Sequence, residues 1–382
     1  MFLNQNQLNG TLKNLRSACS KNVDSSKYPF SSGVDNNVVI YESETFYDQI
    51  DITALQTEIV DVLQSGPGVL LIKKAWSDSK ILSDMTNIFW QIIETESDNN
   101  QGDHFGSDIQ QSNARIWNSF QKCAILEPEL FIHYFSNPIL MWVSQAWLGP
   151  HYQVTAQVNI VLPGGQSQTP HRDYHMGFQD STDLLDFPAH IHNLTPLLTL
   201  QGAVAHSNMP IESGPTLLLP FSHQVEEGYV GFRQQACKDY FMEKAVQIPL
   251  ERGDALFFNP ALYHAAGSNV SSNIKRCANL LQISSVYAKS MEFINHKEIC
   301  LTAYPTLQNF WKIPSFTPAQ KLAILTAMTD GYPFPTNLDL DPPTDSISPP
   351  TGYQLLEQAL KENWDKAELE QQLTALMAKK GS

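Results

Sequence analysis

Residues 169–178 read TPHRDYHMGF. A histidine and an aspartate stand two positions apart, just after a proline, in a stretch whose neighbours look like strand. In a β-strand, residues i and i+2 share a face, so His171 and Asp173 would project together into the interior while Arg172 faces away. One imidazole and one carboxylate make only a weak two-toothed chelate. A third ligand from a distant strand would complete one triangular face of an octahedron, and His264, in GDALFFNPALYHAAGSN, is the strongest candidate. Two histidines and a carboxylate with the opposite positions open are the ligand set of non-haem Fe(II) oxygenases. A closed four-ligand zinc site would leave no room for O2 and a co-substrate together. Taken alone, His-x-Asp is a common pair, equally at home on a solvated edge strand, so the rest of the chain has to decide.

Outward from that stretch, residues from about 152 to 290 read as short strands separated by Gly, Pro, Asn and Ser: YQVTAQVNIVL, LLTLQGAVAH, PTLLLP, AVQIPL, DALFFN and KRCANLLQISSVY. Short strands between turn signals suggest a sandwich or a jelly-roll barrel. Before them, ITALQTEIVDVLQSGPGVLLIKKAW predicts a helix near 52–64, a Gly-Pro-Gly break and an apolar strand at 68–73. Further helices are predicted near 78–95 and 127–148. After residue 290 the pattern returns to helix, with a proline-rich connector, DGYPFPTNLDLDPPTDSISPPTG, before an amphipathic helix or helical pair over 354–378. Residues 1–45, rich in Asn, Ser and Gln, read as a polar N-terminal arm, disordered or extended.

Lys and Arg total 24 against 39 Asp and Glu, a net charge of −15. With no basic cluster in view, that balance speaks against nucleic-acid and anionic-membrane partners. The five cysteines are scattered without CxxC spacing, which suggests neither a disulfide framework nor a thiolate zinc site and points to a reducing compartment. No window approaches the length of an apolar membrane span and the N-terminus lacks a secretory apolar core, so a cytoplasmic protein is expected. The sequence leaves the oligomeric state open.

Four segments, in order, carry a resemblance: GVLLIKKAWSDSKI, QTPHRDYH, ESGPTLLLPFSHQ and GDALFFNPALYHAAGSNVSSNIKRCANLLQIS. Together they resemble the phytanoyl-CoA dioxygenase family of Fe(II)/2-oxoglutarate oxygenases over roughly residues 65–290. The resemblance implies an α+β fold: a double-stranded β-helix (jelly-roll, cupin-like) barrel core flanked by N-terminal and C-terminal helices. The oxygenase domain would span 46–290 with its supporting helices, and 291–382 would form a helical extension packed on the barrel. It further implies Fe(II), 2-oxoglutarate and O2 as cofactor and co-substrates. Hydroxylation of an unactivated C–H bond of a small-molecule substrate would follow, with release of succinate and CO2. His171, Asp173 and His264 become the metal ligands and catalytic centre.

The far carboxylate of 2-oxoglutarate then needs a buried cation, because burying it unpaired costs several kcal/mol. Arg276 suits that task, since guanidinium offers a planar two-pronged grip on a carboxylate; Lys275 beside it remains the alternative. Gln157 and Asn159, at i and i+2 on the strand before the His-x-Asp segment, are candidate hydrogen-bonding partners of the co-substrate, or ordinary strand amides. Ser268 is a weaker candidate for the same carboxylate, and Ala266 stands where the family often has serine. His175 would line the substrate pocket or orient a bound group. His190 and His192 read as loop residues, His206 as a strand end, and His223 as a hydrogen-bonded scaffold. The ligating Asp173 argues against halogenation, because related halogenases lack the carboxylate. Two other readings remain: a metalloenzyme on the same barrel that does not use 2-oxoglutarate, and a binding module.

Overall fold

The computed structural model describes residues 2–47, 51–96, 113–173, 176–343 and 347–381. Among these, ten strands are present: β1 (Gly33–Asp35), β2 (Val38–Glu42), β3 (Val69–Lys73), β4 (Asn113–Ile116), β5 (Gln153–Val161), β6 (Thr199–Ala205), β7 (Leu217–Leu219), β8 (Ala255–Phe258), β9 (Tyr263–Ala265) and β10 (Arg276–Ser284). Eight of them form one sheet in the order β1-β2-β3-β8-β6-β10-β5-β4, and β7 pairs with β9 in a second. The β2–β3 pair is parallel, while β3–β8, β6–β8, β4–β5 and β7–β9 are antiparallel. The class is therefore mixed α+β, as expected. No helix among the described residues is long and apolar enough to cross a membrane.

The chain divides into two compact units, one of residues 1–117 and 156–282, the other of 118–155 and 283–382. These bounds differ from the expected 46–290 and 291–382. The second unit is built on helices. The segment expected as one helix over 127–148 is two, Pro128–Phe135 and Pro138–Leu148, because Asn137 caps the second and Pro138 opens it. Near the C-terminus, helices Gly352–Glu362 and Lys366–Lys380 are separated by Asn363 in the left-handed region. Phe120 of helix Ser119–Leu126 packs ring on ring with Phe131 and Phe135 of helix Pro128–Phe135.

In the first unit, strand parity sorts the small sheet's side chains into two cores. Leu218 of β7 points inward, joining Val38, Val69, Leu71, Leu256, Phe258 and Ala278 of the large sheet. Its neighbours Leu217 and Leu219, with Tyr263 and Ala265 of β9, point outward onto Leu15, Val225, Phe232 and Phe241. His264, between Tyr263 and Ala265, is consequently turned to the interior.

Part of the stretch read as a disordered or extended polar arm is helical. Residues Gln5–Cys19 form a helix whose N-terminus is closed by a reciprocal box between Asn4 and Gln7. Leu8, Thr11 and Leu15 line its buried face. Asn-rich composition conceals that stripe, because three well-spaced residues suffice to dock a helix whose other faces are solvated. The same N-terminal stretch supplies β1 and β2, and β2 zips onto β3. A correction concerns residues 169–173, expected as strand. Only His171 pairs, in an isolated bridge with His264, and the chain then leaves the ladder. AVQIPL likewise gives isolated bridges at Val246 and Leu250 rather than a strand, since Pro249 has no N–H to continue one.

Two outcomes follow for stability. Leu15 is fully buried beneath the outer face of the small sheet, so Leu15→Ala should cost about 3 kcal/mol, read as a lowered urea midpoint. His206 is buried, with Nδ1 2.9 Å from Thr86 Oγ1, whose own proton goes to the Leu82 carbonyl. Burial first, and then the Arg252 charge, push its pKa down to about 3 from 6.5. The unfolded chain therefore takes up a proton that the folded one refuses. His206's contribution is intact above pH 6.5 and declines as pH falls toward 3, a loss of about 2 kcal/mol at pH 5. Thermal melts should show a shallower acid slope for His206→Gln than for the parent.

Candidate metal centre

His171 and His264 face each other through a reciprocal backbone pair: each N–H donates to the other's carbonyl at 3.0 Å. That bridge brings their rings to 4.4 Å between centroids. Asp173 is tied separately, its N–H donating to the Pro260 carbonyl at 3.0 Å. Its carboxylate then spans the two imidazoles, Oδ1 lying 3.9 Å from His171 Nε2 and Oδ2 3.7 Å from His264 Nε2. One ligand atom from each of the three residues lies within 4.8 Å of the others. These separations are too long for direct hydrogen bonds, and they leave room for an ion among the three donors.

The tautomers can be read from the carbonyls behind the rings. His171 Nδ1 lies 2.7 Å from Thr169 O, and His264 Nδ1 lies 2.9 Å from Leu262 O. A carbonyl has no proton to give, so each Nδ1 carries the hydrogen and each Nε2 turns its lone pair toward Asp173. Burial alone would raise the Asp173 carboxyl; the Gln201 amide, and the charge of the two imidazoles whenever they carry a second proton, hold it well below the usual carboxylate range. Two neutral nitrogen donors and one anionic oxygen, all from one side, are a donor set for a divalent transition metal with positions left open.

Arg172 faces away from this cluster, as strand parity implied, and is nevertheless buried. Its guanidinium lies between the rings of Tyr229 and Tyr263, 5.0 and 4.7 Å from their centroids, and donates to the Ser222 and Val225 carbonyls. It thus packs the back of the His-x-Asp turn against the loop preceding helix Gly228–Gly231.

Arg276 opens β10 and is 5% exposed. Nη1 donates to the Ser213 and Gly267 carbonyls at 3.3 and 3.1 Å, and no carboxylate among the described residues pairs with it. Burial pushes its pKa down to about 10, which leaves it a cation at neutral pH. Lys275 is exposed and places its ammonium 5.1 Å from the Trp90 ring centroid. Of the two basic residues, Arg276 is thus the buried one.

Gln157 and Asn159 share a face of β5 with Arg115 of β4, the Cα partner of Asn159. Arg115 donates to Gln157 Oε1 at 3.1 Å, while Asn159 Oδ1 is buried without a hydrogen-bond partner. Ser268 Oγ is occupied by the Ser167 N–H at 3.0 Å. His175 lies outside the described residues. His190 and His192 fall in helix Ala189–Leu194 rather than a loop, and His192 bonds the Leu184 carbonyl at 3.0 Å. His223 faces the Gln64 carbonyl at 3.2 Å and packs over Gly68, where an added Cβ would collide with its ring.

One residue in contact with the cluster escapes a reading of the sequence. Gln201 sits in β6, where every residue is buried, and its Nε2 donates to Asp173 Oδ2. The signal that points to it is a lone amide within the apolar run TLQGAVA, since a buried amide needs a partner.

The family model for phytanoyl-CoA dioxygenase (PhyH) matches residues 50–277. Among curated proteins, the chain is similar to Dioxygenase andF of Emericella variicolor, 24% identical over 246 residues, covering 60% of this chain and 75% of that one. It is also similar to Dioxygenase trt7 of Aspergillus terreus (strain NIH 2624 / FGSC A1156), 22% identical over 187 residues, covering 48% and 57%. Similar solved structures include the non-heme alpha ketoglutarate dependent carbocyclase SnoK from nogalamycin biosynthesis, with a TM-score of 0.47 and 18% identity over 64% of this chain and 89% of that one. Another is the epimerase SnoN in complex with Fe3+, alpha ketoglutarate and nogalamycin RO, with a TM-score of 0.44 and 15% identity over 69% and 92%.

The geometry sets an outcome for metal titration. The parent should bind one Mn(II) per chain, read by loss of the free-ion electron paramagnetic resonance signal. Asp173→Asn keeps the shape but removes the anionic donor, and should weaken binding on the order of a hundredfold or more.

Proposed function

The chain belongs to the phytanoyl-CoA dioxygenase family of iron- and 2-oxoglutarate-dependent oxygenases, and from that premise we propose that it hydroxylates an unactivated C–H bond of a small organic substrate, releasing succinate and CO2. The observation that carries the proposal is the presence of both a three-donor metal cluster and a buried guanidinium that has no acidic partner among the described residues. In this reading the large sheet and the small β7–β9 sheet, sharing one apolar core, are the two walls of a double-stranded β-helix. A body beginning near residue 46 and a helical extension from 291 remain the expected functional division, with the N-terminal helix Gln5–Cys19 as part of the barrel's support rather than an arm.

His171, Asp173 and His264 would hold the iron. When bound, iron supplies the activation of O2 that drives oxidative decarboxylation of 2-oxoglutarate and oxidation of the substrate. The chain's own groups do the rest. The Thr169 and Leu262 carbonyls keep protons on the two Nδ1 atoms, so both Nε2 lone pairs stay available. Arg276 would take the far carboxylate of 2-oxoglutarate in a charge-assisted grip. This offsets both the cation's burial and the anion's. Gln157, with its carbonyl held by Arg115, would turn its amide N–H toward the co-substrate, and the unpartnered Oδ1 of Asn159 would accept from a bound hydroxyl or amide. A net charge of −15 without a basic cluster disfavours an acyl-CoA, whose phosphates need cations. The described cysteines are all free thiols, which suits a reducing cytoplasmic setting.

Under anaerobic conditions, Fe(II) and 2-oxoglutarate added together should produce a visible charge-transfer band, and admitting O2 should yield succinate. Loss of both in His171→Ala is expected; an unchanged band in that variant would sink the assignment. Arg276→Leu should raise the KM for 2-oxoglutarate by about 100-fold, the scale of one lost charge-assisted pair at roughly 3 kcal/mol, with a smaller change in Mn(II) affinity. Equal KM values would remove Arg276 from the site.

A further inference from the structure

We propose that Gln201 is a positioning residue for the metal-binding carboxylate, holding Asp173 in the orientation that lets it share an ion with both histidines. The inference rests on the metal-centre reading above and goes beyond it, from the ligands to the group that aims one of them.

Three observations on β6 and its neighbours carry it. First, Gln201 Nε2 donates to Asp173 Oδ2, the same oxygen that lies 3.7 Å from His264 Nε2. Second, the amide has only one workable orientation. Turning it over would set Oε1 against the carboxylate, acceptor against acceptor, so the proton-bearing end must face Asp173. The price of that orientation is visible in the structure: Oε1 is buried and has no hydrogen-bond partner. A strand whose other residues are apolar, Thr199 excepted, gains nothing in packing from an amide left half-satisfied, whereas Asp173 gains a fixed donor.

Third, the strand register places Gln201 directly opposite Phe258 of β8. The Phe258 ring packs 4.8 Å from the His264 ring. One cross-strand pair of the large sheet therefore supports two members of the cluster at once, the phenyl ring behind His264 and the amide behind Asp173. Gln282 Oε1 of β10 accepts from the same Gln201 Nε2 at 3.4 Å. Asp173 itself is 22% exposed at its side chain and leaves the ladder after His171, so without the amide its carboxylate would be free to turn toward water.

The test is metal binding rather than turnover, with Mn(II) as the probe and the whole chain as the sample. Gln201→Leu keeps a side chain of apolar bulk, one atom shorter, and removes the donor. We expect Mn(II) affinity to fall by about 10- to 100-fold, the range for removing a group that orients a metal ligand. The Tm of the metal-free variant should stay within a few degrees of the parent, because the lost amide was itself half-satisfied. The rise in Tm that saturating Mn(II) gives the parent should shrink in proportion. A purely structural glutamine would give the opposite pattern, a changed metal-free Tm with unchanged affinity. Should Gln201→Leu not fold, Gln201→Asn, whose amide is one methylene short of Asp173, decides by the same measure. Affinity within twofold of the parent in the folded variant overturns the proposal. Absence of succinate from the parent would sink the proposed reaction alone, and absence of Mn(II) binding to the parent would sink both.

Discussion

The reciprocal pair of backbone hydrogen bonds between His171 and His264, each 3.0 Å long, is the constraint on which the centre depends. It joins two segments far apart in sequence at one residue each. A closely bonded antiparallel pair fixes both Cβ directions, so neither imidazole can leave without breaking the bridge. The carbonyls of Thr169 and Leu262, each two residues before its histidine, then lock the ring orientation. Backbone groups thus turn two nitrogen lone pairs toward one point, with the Phe258 ring packed on His264, while the third donor is met by the Gln201 amide.

What holds the bridge from behind is less visible in the sequence. Tyr263 and Ala265 flank His264 on β9 and pack outward against Leu15 of the N-terminal helix and Phe241 of helix Gln235–Lys244. Arg172, between the two ligands of the His-x-Asp turn, reaches the same outer layer and lies against Tyr263. The alternation inward and outward along three residues therefore couples the metal side of the small sheet to a hydrophobic layer that includes the chain's first helix. A helix that composition presents as a polar arm is a wall of the support.

The chemistry is more legible in the chain than the local structure around it. His171, Asp173 and His264 can be paired from residue type and order because ligands must be imidazole or carboxylate, and the choice narrows quickly. Arg276 follows from charge balance, though only the structure separates it from Lys275, by burial against cation–π exposure. The helix over Ile52–Gln64 has its expected bounds because apolar period and the Gly-Pro-Gly break agree. The strand around residue 171 does not form, because a single bridge satisfies the histidine and Asp173 is bonded to Pro260 instead of a ladder partner. Helix Gln5–Cys19 hides in its composition, since a sparse stripe of apolar residues is outnumbered by the amides around it. Its capping box also has Asn and Gln rather than the commoner Ser and Glu. Gln201 shows in the sequence only as a lone amide in an apolar run, and sequence distance gives no hint that its partner is Asp173.

Three of the polar groups that the fold leaves incompletely served lie close together in the sheet order. Arg276 is buried against carbonyls with no anion, Asn159 Oδ1 and Gln201 Oε1 are buried with no donor, and all three residues stand on the central strands β10, β5 and β6 of one sheet. Each costs stability that an apolar side chain of similar size would not. Elsewhere on the same sheet, residues such as Leu256, Val204 and Ile160 are simply packed. Buried polar atoms without a partner also stand elsewhere among the described residues, Asn113 Oδ1, His151 Nδ1 and Asp341 Oδ2 among them, so cost alone does not mark a site. What sets these three apart under the proposed reading is use: an anionic co-substrate would complete Arg276 and Asn159, and a carboxylate held at a fixed angle accounts for the orientation of Gln201.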